Sequence, residues 1–227
     1  MSIRRLQYQI DHVHILTFKE EYKVAVYPYF SFENVEYAID NENTIMEGIR
    51  LIFKNENIAI FLRKEGLTLL FEGDVEELKN QNGIIRFFWE LYEKVKSFKG
   101  YTRTTRHALT VHAVNIQDRQ GIEELLKNNA YFSKNPFQNV SDFSCIYQFK
   151  TDDAEFRFEF GNYSEKDIKT HDLTPFKTKF NEDLIDGFGL MGRLDASEIE
   201  KNPTFSKFKT LLSKSEKILS LNEFKLL

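Results

Sequence analysis

The sequence is poor in the residues that mark several classes of protein. Its 227 residues include one cysteine, one tryptophan and four prolines. A lone cysteine, Cys145, excludes an intrachain disulfide framework and a cysteine-cluster zinc site. No apolar run reaches about 18 residues, so no transmembrane helix is predicted. No apolar stretch follows the basic N-terminal residues as it would in a secretory signal. We therefore expect a cytoplasmic protein without a membrane partner.

The charge is also nearly balanced. A net charge of −4 excludes a strongly basic coat for nucleic acid. In contrast, aromatic residues are abundant, with 22 phenylalanines and 10 tyrosines, and 41% of the chain is hydrophobic. This composition is typical of a folded chain and not of a disordered one. A chain of this length buries roughly 70% of its unfolded surface without the help of disulfides.

Apolar residues in the first third of the sequence predict strands. Residues 7–18 alternate between polar and apolar, and residues 22–27 form a second short run, so we predict two strands joined by a hairpin. Three apolar runs at residues 49–53, 58–62 and 67–71 are separated by short polar segments. That spacing predicts an antiparallel meander.

A helix is predicted to open at Gly83 and to end before Gly100, a residue suited to the position after a helix. Its apolar stripe follows helical spacing: Ile84, Phe88, Leu91, Tyr92, Val95 and Phe98. Asp118 is suited to cap a short helix. A C-terminal helix is predicted from Asn202 and Pro203, with a stripe of Phe205, Phe208, Leu212, Ser215 and Leu219.

The remaining segments complete the predicted fold. Strands are expected at residues 105–116, 143–149, 155–160 and 189–194, and a loop at residues 163–180. Because strands arrive in hairpin-connected groups, the fold class is α+β, with antiparallel sheets packed against two or three amphipathic helices. The chain forms either two halves, residues 1–100 and 101–227, or one compact domain.

Residues 187–192 match the pattern G-x-G-x-x-G. The dinucleotide-binding fingerprint requires a strand before this pattern and a helix that opens on it. Here the preceding residues are acidic and the following ones read as a strand. We therefore favour glycines in a strand entry, and we expect no cofactor.

Two other features invite a chemical interpretation. His12 and His14 are two residues apart on a predicted strand, so they face the same side and form half of a metal site if a third ligand joins them. Cross-strand or surface histidines are the favoured alternative. Cys145 lies within a predicted strand among aromatic residues, where a structural cysteine is commoner than a nucleophile.

Charge is segregated along the chain. Residues 79–106 carry seven basic and two acidic side chains, whereas residues 182–200 carry six acidic side chains and one basic side chain. The candidate contacts for phosphates or for a protein partner come from the first of these segments: Lys94, Lys96, Lys99, Arg103 and Arg106. Phe156, Phe158 and Phe160 share a strand face, and their alternation with polar residues favours burial over base stacking.

Two resemblances add expectations. The meander, the helix with residues 87–92 and the strand with residues 106–115 resemble a sporadically distributed family of uncharacterised bacterial proteins. This resemblance covers the middle third and implies no catalytic residues. Residues 187–189, Gly-Phe-Gly, are similar to a stretch near the C-terminus of RNA-binding ferredoxin-like proteins of CRISPR systems. That similarity implies RNA contact, although the acidic flanks here depart from a phosphate-contacting loop.

Three functions follow from the sequence. The leading one is a non-enzymatic interaction protein, either a subunit of a bacterial complex or a homo-oligomer, because no coherent catalytic set is present. The second is nucleic-acid binding through the basic residues between Lys94 and Arg106. The third is an enzyme whose site is assembled from residues distant in the sequence.

Overall fold

A computed structural model of the chain describes residues 2–27, 35–73, 75–80, 82–117, 120, 124, 144–163, 188–198 and 202–221. The strands are β1 (Ser2–His12), β2 (Val35–Asp40), β3 (Gly48–Phe53), β4 (Ile58–Arg63), β5 (Gly66–Glu72), β6 (Thr104–Gln117), β7 (Ser144–Lys150), β8 (Ala154–Tyr163) and β9 (Phe188–Glu198). The helices are α1 (Phe18–Val26), α2 (Val75–Asn80), α3 (Asn82–Lys96) and α4 (Phe205–Leu221).

All nine strands belong to one antiparallel sheet with the order β2-β3-β4-β5-β1-β6-β9-β8-β7. The first strand lies at the centre, because β1 pairs with β5 on one side and with β6 on the other. The predicted α+β class with antiparallel strands and packed helices is confirmed. The predicted meander is confirmed as β3, β4 and β5, and the hairpin of β7 and β8 is also confirmed.

The two faces of the sheet differ because alternate residues of a strand point to opposite sides. On β1, Leu6, Tyr8 and Ile10 are buried, whereas Gln7 and Gln9 are half-buried on the other face. The first set faces the helices. The second belongs to what we call the polar face.

An aromatic cluster packs α3 and α4 against the centre of the sheet. The Tyr8 ring lies 6.2 Å from Phe88, 5.8 Å from Trp89 and 4.9 Å from Phe208, measured between centroids. Burial of such large rings contributes most of the favourable free energy of a core. The apolar stripes predicted for both helices are confirmed by burial of Phe88 on α3 and of Phe208 on α4.

Helix ends were predicted less well. Helix α3 ends at Lys96 and not beside Gly100, since turn-type hydrogen bonds replace the helical ones from Ser97 onward. Helix α4 begins at Phe205, and the backbone amide of Lys207 donates to the Thr204 hydroxyl at 3.2 Å. Thr204 therefore caps this helix.

The predicted strand at residues 22–27 is wrong, and so is the extension of the first strand to residue 18. Residues 18–26 form α1, in which Phe18, Tyr22 and Val26 are buried while Val24 is 69% exposed. This spacing of four residues is helical, and Ala25 joins the same buried stripe. Tyr22, Val24 and Val26 occupy alternate positions, as in a strand. Ala25, which is also apolar, does not fit that alternation.

Some predictions lie outside the described residues, namely the helix capped by Asp118 and almost all of the loop at residues 163–180. The strand predicted at residues 189–194 is confirmed as β9, and the strand at residues 105–116 as β6. Within the part of the chain that the structure describes, no helix has the length and apolarity needed to cross a membrane.

Candidate functional site

Three segments meet at one end of the central strands and bring four basic residues together. Backbone hydrogen bonds join the segments: the amides of His12, Val13 and Ile15 donate to the carbonyl oxygens of Glu65, Arg103 and Lys64 at 2.8, 3.2 and 2.9 Å. The turn between β4 and β5 and the start of β6 thereby become neighbours. We call Arg63, Lys64, Arg103 and Arg106 the basic corner.

The strand register places two of these arginines in one row across the sheet. Arg63 pairs with Gly66, Gly66 pairs with Asp11, and Asp11 pairs with Arg106. Residues that pair across neighbouring strands share a face, so both arginines lie on the polar face. Three inter-strand spacings separate their Cα atoms, which corresponds to about 14 Å.

The basic corner carries a surplus of positive charge. Arg63, Arg103 and Arg106 are exposed. Two acidic residues lie among them: Glu65, whose carboxylate is 3.5 Å from His14 Nε2, and Asp11. Four basic side chains against two carboxylates leave a net positive field at this end of the sheet, which attracts anions.

A groove of about 220 Å³ on the polar face runs into this corner. The amides of Gln7 and Gln9 line it together with Arg5, and Arg63 closes its end at the corner. The half-buried Phe61 adds an aromatic surface. The groove thus combines two arginines, the amides of Gln7 and Gln9, an apolar patch and the carboxylates of Asp11 and Glu65.

The structure separates the basic residues predicted from sequence into two groups. Arg103 and Arg106 belong to the basic corner, where Arg63 and Lys64 join them. Lys94, Lys96 and Lys99 follow the exposed end of α3. There the ammonium of Lys96 pairs with the carboxylate of Glu93 at 2.7 Å, and the backbone amide of Lys99 donates to Glu21 at 2.9 Å.

Arg63 and Lys64 were not predicted from the sequence as site residues. Both stand in the polar turn that separates two strands of the meander. A local signal existed, because Arg63 and Lys64 are adjacent basic residues in a short turn. Their proximity to Arg103 and Arg106 depends on the pairing of β1 between β5 and β6, which is a long-range feature.

A buried network of histidine and tyrosine side chains lies behind the corner, on the helix-covered face. The Tyr22 hydroxyl donates to His12 Nε2 at 2.9 Å, and His12 Nδ1 donates to the carbonyl oxygen of Val13 at 2.8 Å. This pattern assigns the neutral tautomer with its proton on Nδ1. Thr104 lies beside His12 in the register, and its hydroxyl bonds the Tyr92 hydroxyl at 2.6 Å.

A second buried chain of polar groups starts at the centre of the sheet. The Tyr8 hydroxyl donates to His107 Nδ1 at 3.0 Å, and His107 Nε2 lies 3.5 Å from the Glu198 carboxylate. Burial raises the pKa of Tyr8 well above its ordinary value, so the phenol remains protonated near neutral pH. Tyr8 and His107 are almost fully buried, which suits a structural hydrogen-bond network.

The network makes stability depend on pH through His12. Burial lowers the pKa of His12 below its usual 6.5, and the Tyr22 hydroxyl already donates to the nitrogen that would accept the proton. In the unfolded chain the imidazole binds a proton near pH 6.5, so its contribution to stability is complete above that pH and is lost as the pH falls below it. Acidification below pH 6.5 should therefore lower the free energy of unfolding through this residue, by at most about 1.4 kcal/mol per pH unit, the limit for one proton.

Urea unfolding of the wild type and of His12→Gln at both pH values measures this loss. Other titrating groups affect both proteins alike, so the difference between the two pH dependences isolates His12. The wild type should lose more stability than the variant on acidification. Parallel pH dependences would contradict a depressed pKa at His12.

The hypothesis of a metal half-site at His12 and His14 is not supported by their placement. Strand β1 ends at His12, which is buried and bonded to Tyr22, whereas His14 is exposed and lies beside Glu65. The two imidazoles therefore do not share a strand face. Among the described residues, no group of three potential metal ligands is found.

Other sequence features find structural roles. Gly189 and Gly192 lie within β9 and pair with both β6 and β8, as expected for a strand. Phe156, Phe158 and Phe160 are buried, which confirms the favoured interpretation. Burial raises the pKa of the half-buried Cys145, so its thiolate is disfavoured.

Comparison with known proteins yields little. No protein-family model matches the sequence, and no relative is found among curated proteins. One solved structure, a rolling circle replication initiator protein from Geobacillus stearothermophilus, is 11% identical, and the alignment covers 87% of this chain and 74% of that one at a TM-score of 0.28. A likeness at this level carries no argument about the function of this chain.

Proposed function

We propose that the protein binds nucleic acid through the basic corner and the adjoining groove. One observation carries this proposal: backbone pairing brings three exposed arginines from two distant parts of the chain to one end of the central strands, two of them on the polar face. Arginine is the preferred residue for phosphate, because its planar guanidinium donates two parallel hydrogen bonds.

The groove extends the same surface away from the phosphate contacts. Gln7 and Gln9 line it, and their amides donate to Gln9 and to Asp11 at 3.4 and 2.6 Å. Amide side chains also hydrogen-bond to base edges, so a bound base would take the place of these partners. Phe61 offers an aromatic surface of the kind on which bases stack. A strand whose phosphates lie at Arg63 and Arg106 would place its bases along these residues.

The first test uses fluorescence anisotropy with a labelled DNA single strand of about 20 nucleotides, longer than the ~4–16 nucleotides of one such site. The triple variant Arg63→Gln, Arg103→Gln, Arg106→Gln should bind about tenfold more weakly for each arginine that contacts phosphate, the lower limit for a charged hydrogen bond. The slope of log K against log salt should become shallower by about 0.7 for each lost contact.

Arg86→Gln is the control for the loss of one arginine, because it removes a single positive charge from an exposed site in the first half of α3, where Arg86 pairs with Glu90 at 3.1 Å. It should leave both the affinity and the slope unchanged. The proposal fails if the wild type does not bind at low salt, or if the triple variant binds like Arg86→Gln. Far-UV circular dichroism checks that each variant is folded.

A second candidate function, a homo-oligomer or a subunit of a protein complex, is favoured by a different surface. Strand β7 forms one edge of the sheet and exposes three large apolar side chains, Ile146, Tyr147 and Phe149. Exposed apolar edges are typical association sites. The two candidates use different regions of the sheet, so they do not exclude each other.

A further inference from the structure

Within the described residues, strand β7 shows few of the features that protect edge strands from association. Natural edges carry charges, proline or bulges, whereas β7 pairs with β8 in unbroken register from Ser144 to Lys150. Its one charged residue, Lys150, already pairs with Glu155 at 2.8 Å. Six of its seven residues are exposed, and Ile146, Tyr147 and Phe149 are 53%, 39% and 40% exposed.

The opposite edge of the sheet is protected. On β2, the carboxylate of Glu36 pairs with Lys54, and that of Asp40 pairs with Arg50 at 3.1 Å. These charges oppose the approach of a further strand. Within the described residues, β2 therefore carries two acidic residues in six, against one lysine in seven on β7, and β7 is the less charged edge.

The apolar layer beneath the helices continues into β7, where its side chains are partly exposed. The Tyr147 ring stacks on Phe160 with centroids 6.2 Å apart, and the Phe149 ring stacks on Phe156 at 5.1 Å. Phe156 and Phe160 are buried, but their partners on β7 are not. A strand added to β7 would cover these rings and extend the layer by one strand.

We infer that β7 pairs with β7 of a second copy of this chain, antiparallel and with Tyr147 on the two-fold axis. This inference rests on the second candidate function and is independent of nucleic-acid binding. In this register Cys145 faces Phe149 of the partner subunit, and Lys150 faces Ser144 of the partner subunit. No like charges oppose each other, and an aromatic pair forms at the axis, which is favourable in cross-strand positions.

Pairing of β7 with β7 also limits the assembly to two copies. A two-fold contact uses the same strand in both copies and leaves no further β7 edge, so it ends at a dimer. A contact between β7 of one copy and β2 of the next would instead grow without limit. Charged side chains on an edge strand hinder the pairing of a further strand, and β2 carries two of them, so this arrangement is less favourable than pairing of β7 with β7.

Sedimentation velocity of the full chain from roughly 1 to 500 µM, the range in which small interfaces dissociate, should show a monomer that converts to a dimer. Ile146→Lys introduces an edge lysine without removing a stacked ring, and Phe149→Lys places one in the aromatic layer. Each should raise the dissociation constant at least tenfold. Tyr37→Lys on β2, where Tyr37 is 55% exposed, is the matched control and should dimerise like the wild type.

A cross-link tests the register. In a Cys145→Ser background, Tyr147→Cys places two thiols opposite each other at the axis, with Cα atoms about 4.5–5.5 Å apart, within disulfide range. Oxidation by diamide should give a covalent dimer. Phe149→Cys in the same background faces position 145 of the partner subunit, where the thiol has been removed, and should not cross-link.

The outcomes separate the inference from the function on which it rests. A wild type that stays monomeric throughout overturns both self-association and this interface. A dimer that persists in both lysine variants overturns β7 as the interface and leaves the homo-oligomer standing. A mass that grows beyond the dimer indicates pairing between β7 and β2 and also overturns the two-fold contact.

Discussion

Replacing Gly66 by alanine should lower the free energy of unfolding by about 3 kcal/mol, the upper end for an overpacked site. A Cβ atom at Gly66 would lie 2.5 Å from the carbonyl oxygen of Ile10 and 3.3 Å from the Cα atom of Asp11. Both are backbone atoms of the central strand, which is paired on both sides and cannot move away. Urea unfolding monitored by circular dichroism measures the loss.

Gly83→Ala is the matched control, since it adds the same methyl group elsewhere. Nothing lies within 4 Å of a Cβ atom at Gly83, which is an exposed residue of α3. Alanine is a better helix former than glycine by up to about 1 kcal/mol, so this variant should be more stable than the wild type. Equal losses in the two variants would contradict the close approach of β1 to β5.

The requirement for glycine at position 66 shows where prediction from sequence ends. The turn before it was predicted from short polar residues between apolar runs, and β4 and β5 form as expected. The pairing of Gly66 with Asp11 could not be predicted. Local alternation identifies strands but does not say which strands become neighbours. Strand β1 ends at His12 and its partner β6 begins only at Thr104.

Helix α1 illustrates a different limit. Helix α1 has nine residues, too few for a helical period to stand out clearly from a strand period. In addition, helices this short owe their stability to packing against the rest of the protein. The buried stripe of Phe18, Tyr22 and Val26 is stabilised by tertiary packing, in which the Tyr22 ring lies 4.9 Å from Phe98 between centroids. That contact, and the hydrogen bond from Tyr22 to His12, are tertiary and leave no local signal.

The candidate site was also predicted only in part, because some of its residues show a local signal and others depend on the pairing of distant strands. Arg103 and Arg106 were predicted from local charge density, which a sequence displays directly. Arg63 and Lys64 join them through the pairing of β1 between β5 and β6 and through hydrogen bonds at the end of β1. Single basic residues in turns are common on protein surfaces, so their meaning emerges only when the fold brings several together.

Phe88→Ala should cost about 4 kcal/mol, within the 3–5 kcal/mol typical of a buried phenylalanine. Phe88 is fully buried on α3, with Tyr8 at 6.2 Å and Trp89 at 5.7 Å between ring centroids. Truncation leaves a cavity where α3 meets the central strand. Because small domains are stable by about 5–15 kcal/mol, the variant should unfold at a much lower urea concentration than the wild type.

Phe149→Ala is the comparison variant, because it truncates an exposed aromatic residue of the edge strand instead of a buried one of the core. Phe149 is 40% exposed on the edge strand, and its ring stacks on Phe156. An aromatic pair contributes about 0.5–1.5 kcal/mol. Truncation of Phe149 should therefore lower the free energy of unfolding by less than about 1.5 kcal/mol in dilute solution. Its larger effect should appear only at high concentration, as weaker dimerisation. If both variants were destabilised equally at low concentration, β7 would belong to the core, and its aromatic residues would not be available to a partner.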